Sequence, residues 1–282
     1  MVHVSDSAVV VGSRRDVLEA LERPELVPHR IDDPSRGPTI ALRNVMARFS
    51  DGREHAARRA SVEAAIASVD VHAVATAARV RTQRDLARGE LDVLAIAARV
   101  PVASLAEALG VGQPDEIDEL VADVDSIVSV IGRGHPADAD SDAATTRVLD
   151  RFADRQEGAV AWASVLYQAM DATAALISTR VLAAATRAPA VPAVPRTRRR
   201  AAVAVEIGER RFDTGTELSV ELGAADLPFG AGPHACPGRD LAVAIADAVV
   251  AEIDAGRVDL AAARSDADGR PMRLGLRVPC GS

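Results

Sequence analysis

The apolar positions change their period along the chain, and the changes mark out its elements. Ala8-Val9-Val10-Val11, closed by Gly12, is a short continuous apolar run and predicts a buried strand. A helix over Arg15 to Glu22 follows, stopped by Pro24. Residues 28–40, rich in Pro, Asp and Gly, read as loop. From about Arg53 the spacing turns helical, with Ala-rich segments near 53–69, 71–87, 89–109 and 114–131; Gly110-Val111-Gly112 parts the last two. Gly132 to Ser141 is a polar connector. Helix resumes near 143–156, and residues 158–188 form one long, nearly apolar helix.

Beyond Pro189, Pro192 and Pro195 the period becomes two. Arg199–Ile207 and Arg211–Leu222 read as strands joined by a Gly208-Glu209 turn. A glycine-rich loop, Phe229 to Gly238, opens a helix from about Arg239 to Asp254, and Gly269-Arg270-Pro271 predicts a short hairpin. The pattern is that of a mainly α protein with a small β-sheet, without internal repeats.

The long helix raises the question of a membrane span, because Ala159 to Ile177 approaches the length that crosses a bilayer. Gln168 and Asp171 sit at its middle, where a charge in lipid would cost several kcal/mol. A buried core helix is the better reading, and its central polar residues then need a partner or a function. No membrane association is expected.

Composition narrows the classes. The chain has 282 residues, 48% hydrophobic and 26% charged, which fills a core and excludes general disorder. That length suits one large domain or two ordinary ones. A net charge of −8 argues against a nucleic-acid binder held by phosphate contacts. With Trp162, Tyr167 and four Phe as its only aromatics, a stacking platform is excluded too. Two cysteines, Cys236 and Cys280, make no disulfide framework, which suggests a reducing compartment. Met1 to Arg15 holds no basic stretch followed by an apolar run, so the expected location is the cytoplasm. Every basic residue is Arg, a bias expected of a high-GC bacterial gene.

The sharpest signal is Phe229-Gly230-Ala231-Gly232-Pro233-His234-Ala235-Cys236-Pro237-Gly238. Physically it delivers a cysteine to a helix N-terminus on a loop that can approach a flat body closely. Gly230 and Gly232 permit left-handed backbone, and Gly238 leaves room beside the sulfur. Pro237 suits a first helical turn, whose N–H groups would favour a Cys236 thiolate. A plain glycine-rich turn around a buried cysteine is the bland alternative.

This loop resembles the haem-ligating F-G-x-G-x-H-x-C-x-G pattern of the cytochrome P450 family at every fixed position. The resemblance implies that Cys236 is the thiolate ligand of the iron of haem b (iron protoporphyrin IX), with His234 near a haem propionate and Phe229 against the proximal face. Other segments agree in order. Val9 to Leu26 resembles the early strand and helix of bacterial members, and Val100-Pro101-Val102 through Val111 resembles the P-V-x-x-I-x-x-L-L-G-V run. Ser50 to Arg59 resembles D-P-P-E-H-x-x-x-R, which assigns His55 and Arg59, four apart on a helix, to the propionates. H-x-x-x-R also occurs on plain solvated helix faces. Arg199, matching the propionate arginine after the K helix, sits among Arg196, Arg198 and Arg200, where a solvated basic strand edge is the alternative.

Some family features are altered. Gln168 to Thr173 falls where the A-G-x-D/E-T-T helix crosses the distal haem face. Asp171 matches the acid, but Ala172 replaces the Thr that relays protons to dioxygen, and Thr173 matches the next position. Asp171 is then a proton relay or a packing partner at a helix kink. Ala184-Ala185-Thr186-Arg187 keeps only the Arg of E-x-x-R, and Gly223 to Asp226 runs into Leu227-Pro228-Phe229 with no room for the meander. The connector after Ile131 is shorter than the usual lid.

The resemblance implies a reduced P450-like fold in one domain, residues 1–282, with the distal haem helix at about 158–188. The expected function is monooxygenase-type or peroxide-driven oxidation of a small molecule, in bacterial secondary metabolism. Expected partners are the substrate, ferredoxin and its reductase, or a carrier protein. The alternatives are a haem-binding accessory, sensor or scaffold protein without oxygenase activity, and a haem-dependent non-redox enzyme.

Overall fold

The computed structural model describes residues 8–31 and 37–277; Cys280, which the sequence gives no role, lies outside them. β1 (Val9–Val11) leads into α1 (Arg14–Glu22), whose start is fixed by Ser13: its hydroxyl accepts from Asp16 N at 3.1 Å. β2 (Leu26–Val27) is followed by α2 (Gly37–Val45), which replaces part of the loop expected at 28–40. Its first turn is capped from afar. Asp142 accepts from Thr39 N at 2.9 Å and from Thr39 Oγ1 at 2.8 Å, a partner over a hundred residues away that no local pattern announces.

Next come α3 (Gly52–Ala67), α4 (Val71–Ala87), α5 (Val93–Ala108) and α6 (Pro114–Ile131), close to the segments predicted from periodicity. Asp70 and Asp92 cap α4 and α5, each side chain accepting from two backbone N–H groups of the first turn. A reciprocal capping box between Asp138 and Ser141 starts α7 (Ala139–Arg151) earlier than the expected 143. α8 (Ala159–Gln168) passes through a π-helical segment, Ala169–Thr173, into α9 (Ala174–Thr186).

The two expected long strands are two nested hairpins. β3 (Thr197–Ala201) pairs with β6 (Glu217–Val220), and β4 (Val205–Ile207) with β5 (Arg210–Phe212) around Gly208-Glu209. Past the paired strands the outer ladder closes with Ala201 N donating to Thr216 O at 3.0 Å and Gly215 N to Ala201 O at 2.7 Å, while Ala202 N, on the other edge of β3, donates to Glu25 O at 2.8 Å. Gly215, in the turn before β6, holds φ +87°. α10 (Arg239–Glu252), β7 (Arg264–Ser265) and β8 (Pro271–Arg273) complete the chain, the last two forming the predicted hairpin.

These elements divide into two compact units, residues 1–65, 126–164 and 194–237 in the first, and 66–125, 165–193 and 238–282 in the second. The first contains a sheet of order β1-β6-β3-β2, with β1 parallel to β6 and the other pairs antiparallel. Val17, Ala20 and Leu21 of α1 join Val11, Ile207, Phe212, Leu218 and Val220 in its core. Phe152 and Trp162, both fully buried, stack with ring centroids 5.9 Å apart.

In the second unit α5 is the central helix. Every residue from Val100 to Ala106 is buried, Pro101 included. α4, α9 and the π segment pack on it, and α10 packs on α4 and α9. The continuous helix Ala159–Thr186 is long and apolar enough to cross a bilayer by composition, yet 61% of its apolar window is buried in the fold, as in a core helix.

Replacing Phe152 by Ala removes one partner of a dry aromatic stack, and we expect a loss of about 3–5 kcal/mol. Urea denaturation followed by tryptophan emission checks this, since Trp162 is the reporter; an unchanged midpoint would contradict the packing described.

Candidate functional site

The glycine-rich loop is closed by its own backbone. Cys236 N donates to Phe229 O at 2.9 Å, Gly230 N to Leu227 O at 2.9 Å and Ala235 N to Gly232 O at 3.0 Å. Gly230 and Gly232 take φ of +69° and +65°, the left-handed region that the sequence reserves for them. A Cβ at Gly232 would also stand 2.8 Å from Leu21 O, so loop and α1 meet backbone to backbone. Cys236 is exposed and Phe229 half-buried. One expectation needs correction. α10 begins at Arg239 with Gly238 as its cap, so Pro237 precedes the cap and does not occupy the first turn. Gly238 has φ −95°, open to any residue, and a Cβ there would only touch Ile66 Cδ1 at 3.5 Å. Protein packing does not require that glycine.

Beside the loop, the first unit gathers basic side chains. His55, buried on α3, lies against His234 with ring centroids 3.9 Å apart and planes tilted by 33°. One turn on, Arg59 Nη1 donates to Pro233 O at 2.9 Å and Ala235 O at 2.6 Å, while Nε donates to Glu63 Oε1 at 2.7 Å. The alternation of β3 settles which arginine of the cluster points inward: Arg198 and Arg200 are exposed, and Arg199 is 6% exposed. Arg199 Nη1 donates to Thr197 Oγ1 at 2.9 Å and to Arg198 O at 3.0 Å, and no carboxylate among the described residues pairs with it.

Electrostatics follow from that crowding. Burial, then the charge of Arg48, lowers Arg199 to about 10, so it stays cationic at neutral pH. Burial, then Arg199, His55 and Arg59, pushes His234 down to about 3 from the ordinary 6.5. Burial and the same two arginines lower His55, against Asp51 and Glu63. Both imidazoles are therefore neutral at pH 7, next to a buried guanidinium.

In the second unit the π segment Ala169–Thr173 carries the other predicted residues. Such single-turn widenings recur at functional sites because they leave one backbone group outside the regular ladder. Asp171 and Ala172 are half-buried, and Thr173 is 4% exposed. Arg187 falls at the C-cap of α9 in left-handed conformation (φ +56°), and residues 187–196 form no helix before β3. The Ala184-Ala185-Thr186-Arg187 segment matched to E-x-x-R therefore closes α9, and no further helix separates it from β3.

Solved structures supply the comparison. P450BioI, in complex with an acyl carrier protein ligated to hexadec-9Z-enoic acid, superposes with a TM-score of 0.74 at 16% identity, over 95% of this chain and 91% of that one. CalO2 gives 0.72 at 17% identity, over 98% and 92%. CYP109B1, a cytochrome P450 from Bacillus subtilis, gives 0.66 at 16% identity, over 97% and 94%. The fold is that of a cytochrome P450. No family model and no curated protein matches the sequence.

Within the P450-like fold, the first unit brings together His55, Arg59, Arg199, Phe229, His234 and Cys236 around one loop and one strand. Gly238, Asp171, Ala172 and Thr173 belong to the second unit. Two supporting residues carry no sequence signal of their own. Arg14 donates through Nη1 to Ala225 O and, at 3.3 Å, to Asp226 O, holding the short turn that stands where a meander would be. Arg48 adds its charge to the Arg199 neighbourhood.

The histidines set a pH dependence. Their pKa values are depressed in the folded state, so the unfolded chain binds more protons below 6.5, and stability must fall as pH drops from about 6.5 towards 3. Urea midpoints of the protein without added haem should decline over that window, and His234→Gln should flatten the decline. An equal slope in the variant would contradict the assignment.

Proposed function

We propose that this chain is a haem-thiolate oxidoreductase acting on a small molecule, with Cys236 as the proximal ligand of haem b. The observation that carries this reading is the presence in one unit of an exposed thiol and a buried guanidinium, Arg199 beside two histidines, that has no carboxylate partner among the described residues. A buried guanidinium calls for an anion, and haem brings two carboxylates. Gly238, which no packing demands, leaves space beside the sulfur. The residues present fit the group. The whole chain is read as one P450-like domain, because solved P450 structures align over 95–98% of it.

When bound, haem supplies oxygen chemistry at an iron made electron-rich by its thiolate. The chain's residues do the rest. Cys236 donates the sulfur. Arg199 offers charge to a propionate, and His234 and His55, neutral at pH 7, offer hydrogen bonds; Arg59 and Phe229 support the loop side. Asp171 holds and passes a proton, while Ala172 adds no hydroxyl and Thr173 is buried. Proton delivery thus falls to Asp171 with water or a substrate hydroxyl, or becomes unnecessary when hydrogen peroxide is the oxidant. Electrons come from ferredoxin and its reductase in the first case. A carrier-bound substrate is a further option, since P450BioI was solved with an acyl carrier protein. The setting is the cytoplasm of a bacterium, in secondary metabolism, without nucleic-acid or membrane partners.

A second reading, a haem protein that does not activate oxygen or that runs a non-redox reaction, is favoured by Ala172 and by the missing helix between residues 187 and 196. Turnover separates the two. The haem-loaded protein is offered small-molecule panels, free and carrier-linked, with ferredoxin plus reductase or with hydrogen peroxide. We expect product with peroxide, and about tenfold better coupling of reductant to product in Ala172→Thr. Haem retained with no product under either oxidant would overturn the oxygenase reading in favour of the second.

A further inference from the structure

The resemblance gives Arg59 to a cofactor carboxylate, but its bonds in this structure go to the cysteine loop. Nη1 reaches Ala235 O at 2.6 Å and Pro233 O at 2.9 Å from a helix more than 170 residues earlier in the chain. The Ala235 carbonyl belongs to the same peptide unit as Cys236 N, and Cys236 N donates to Phe229 O at 2.9 Å. That single planar unit is therefore held at both ends, its oxygen by Arg59 and its N–H by the loop. Fixing the plane fixes the Cα of Cys236 and restricts where its sulfur can point. Gly232 secures the other flank, since its backbone lies where a Cβ would stand 2.8 Å from Leu21 O.

This arrangement stands where other support is missing. No helix follows Arg187 before β3, and the turn at Gly223 to Asp226 leads straight into the loop. We propose that Arg59 is a positioning residue for Cys236, holding the Ala235–Cys236 peptide in place from α3 whether or not a cofactor is bound. The proposal deepens the haem-thiolate reading and rests on it for its purpose, but the anchor itself is measurable without haem.

The test is amide hydrogen exchange at Cys236, resolved by fragmentation mass spectrometry, in the full chain as purified and after haem loading. Arg59→Gln should speed exchange roughly tenfold in both states, as expected for losing charge-assisted bonds to two carbonyls. Arg59→Lys, which keeps a charged donor, should recover part of the protection. Glu63→Gln, which removes only the outer ion pair, should leave exchange within about twofold of the parent. If Arg59→Gln alters exchange only after haem loading, Arg59 serves a cofactor carboxylate and the proposal is overturned. Equal effects of Glu63→Gln and Arg59→Gln also overturn it. Should Arg59→Gln not fold, Arg59→Lys and the parent decide: an unprotected Cys236 amide in the folded parent sinks the anchor. A failed haem-thiolate assignment with Cys236 protection still dependent on Arg59 would sink only the function.

Discussion

A buried guanidinium with no carboxylate partner among the described residues is the constraint around which the Arg199 neighbourhood of the first unit is organised. Taking such a charge out of water costs several kcal/mol unless something compensates. Arg199 is there because β3 alternates and its register against β6 sets Arg199 opposite Leu218, facing inward. Two neutral hydrogen bonds, to Thr197 and Arg198, offset part of the cost. The neighbouring histidines are held neutral at pH 7 first by their own burial and then by the arginine charges. The result is a small region of fixed positive potential in the unit that carries the cysteine loop.

The loop achieves its shape with backbone alone. Three N–H···O bonds and two left-handed glycines close it, and Arg59 and α1 hold its flanks. α1 and α3, both early in the chain, carry that support. The helix Ala159–Thr186 stays continuous through a π-helical turn at Ala169–Thr173, which holds Asp171 and Ala172.

Much of this was legible in the sequence for identifiable reasons. Helical periodicity of Ala-rich runs placed α4 and α5, although α5 starts at Val93, where Asp92 caps it, later than the run read from residue 89. The loop was legible because φ > 0 restricts its positions to glycine. What escaped was non-local. α2 is capped by Asp142 across the fold, Ala202 beyond β3 bonds to Glu25 from a distant segment, and Arg59 bonds to carbonyls that sequence spacing cannot place. The π turn escaped for another reason: a widened turn has the same apolar content as a regular one. Period two in β3 could have singled out Arg199, but four arginines within five residues hid which face was buried.

The proposed function rests on Cys236 meeting iron as a thiolate. That ligation is read from the absorption of the haem-loaded, reduced protein under carbon monoxide, beside Cys236→Ser. Thiolate ligation requires a Soret band at its long-wavelength position, lost in the serine variant. A band at the ordinary position, or one indifferent to Cys236→Ser, would contradict it.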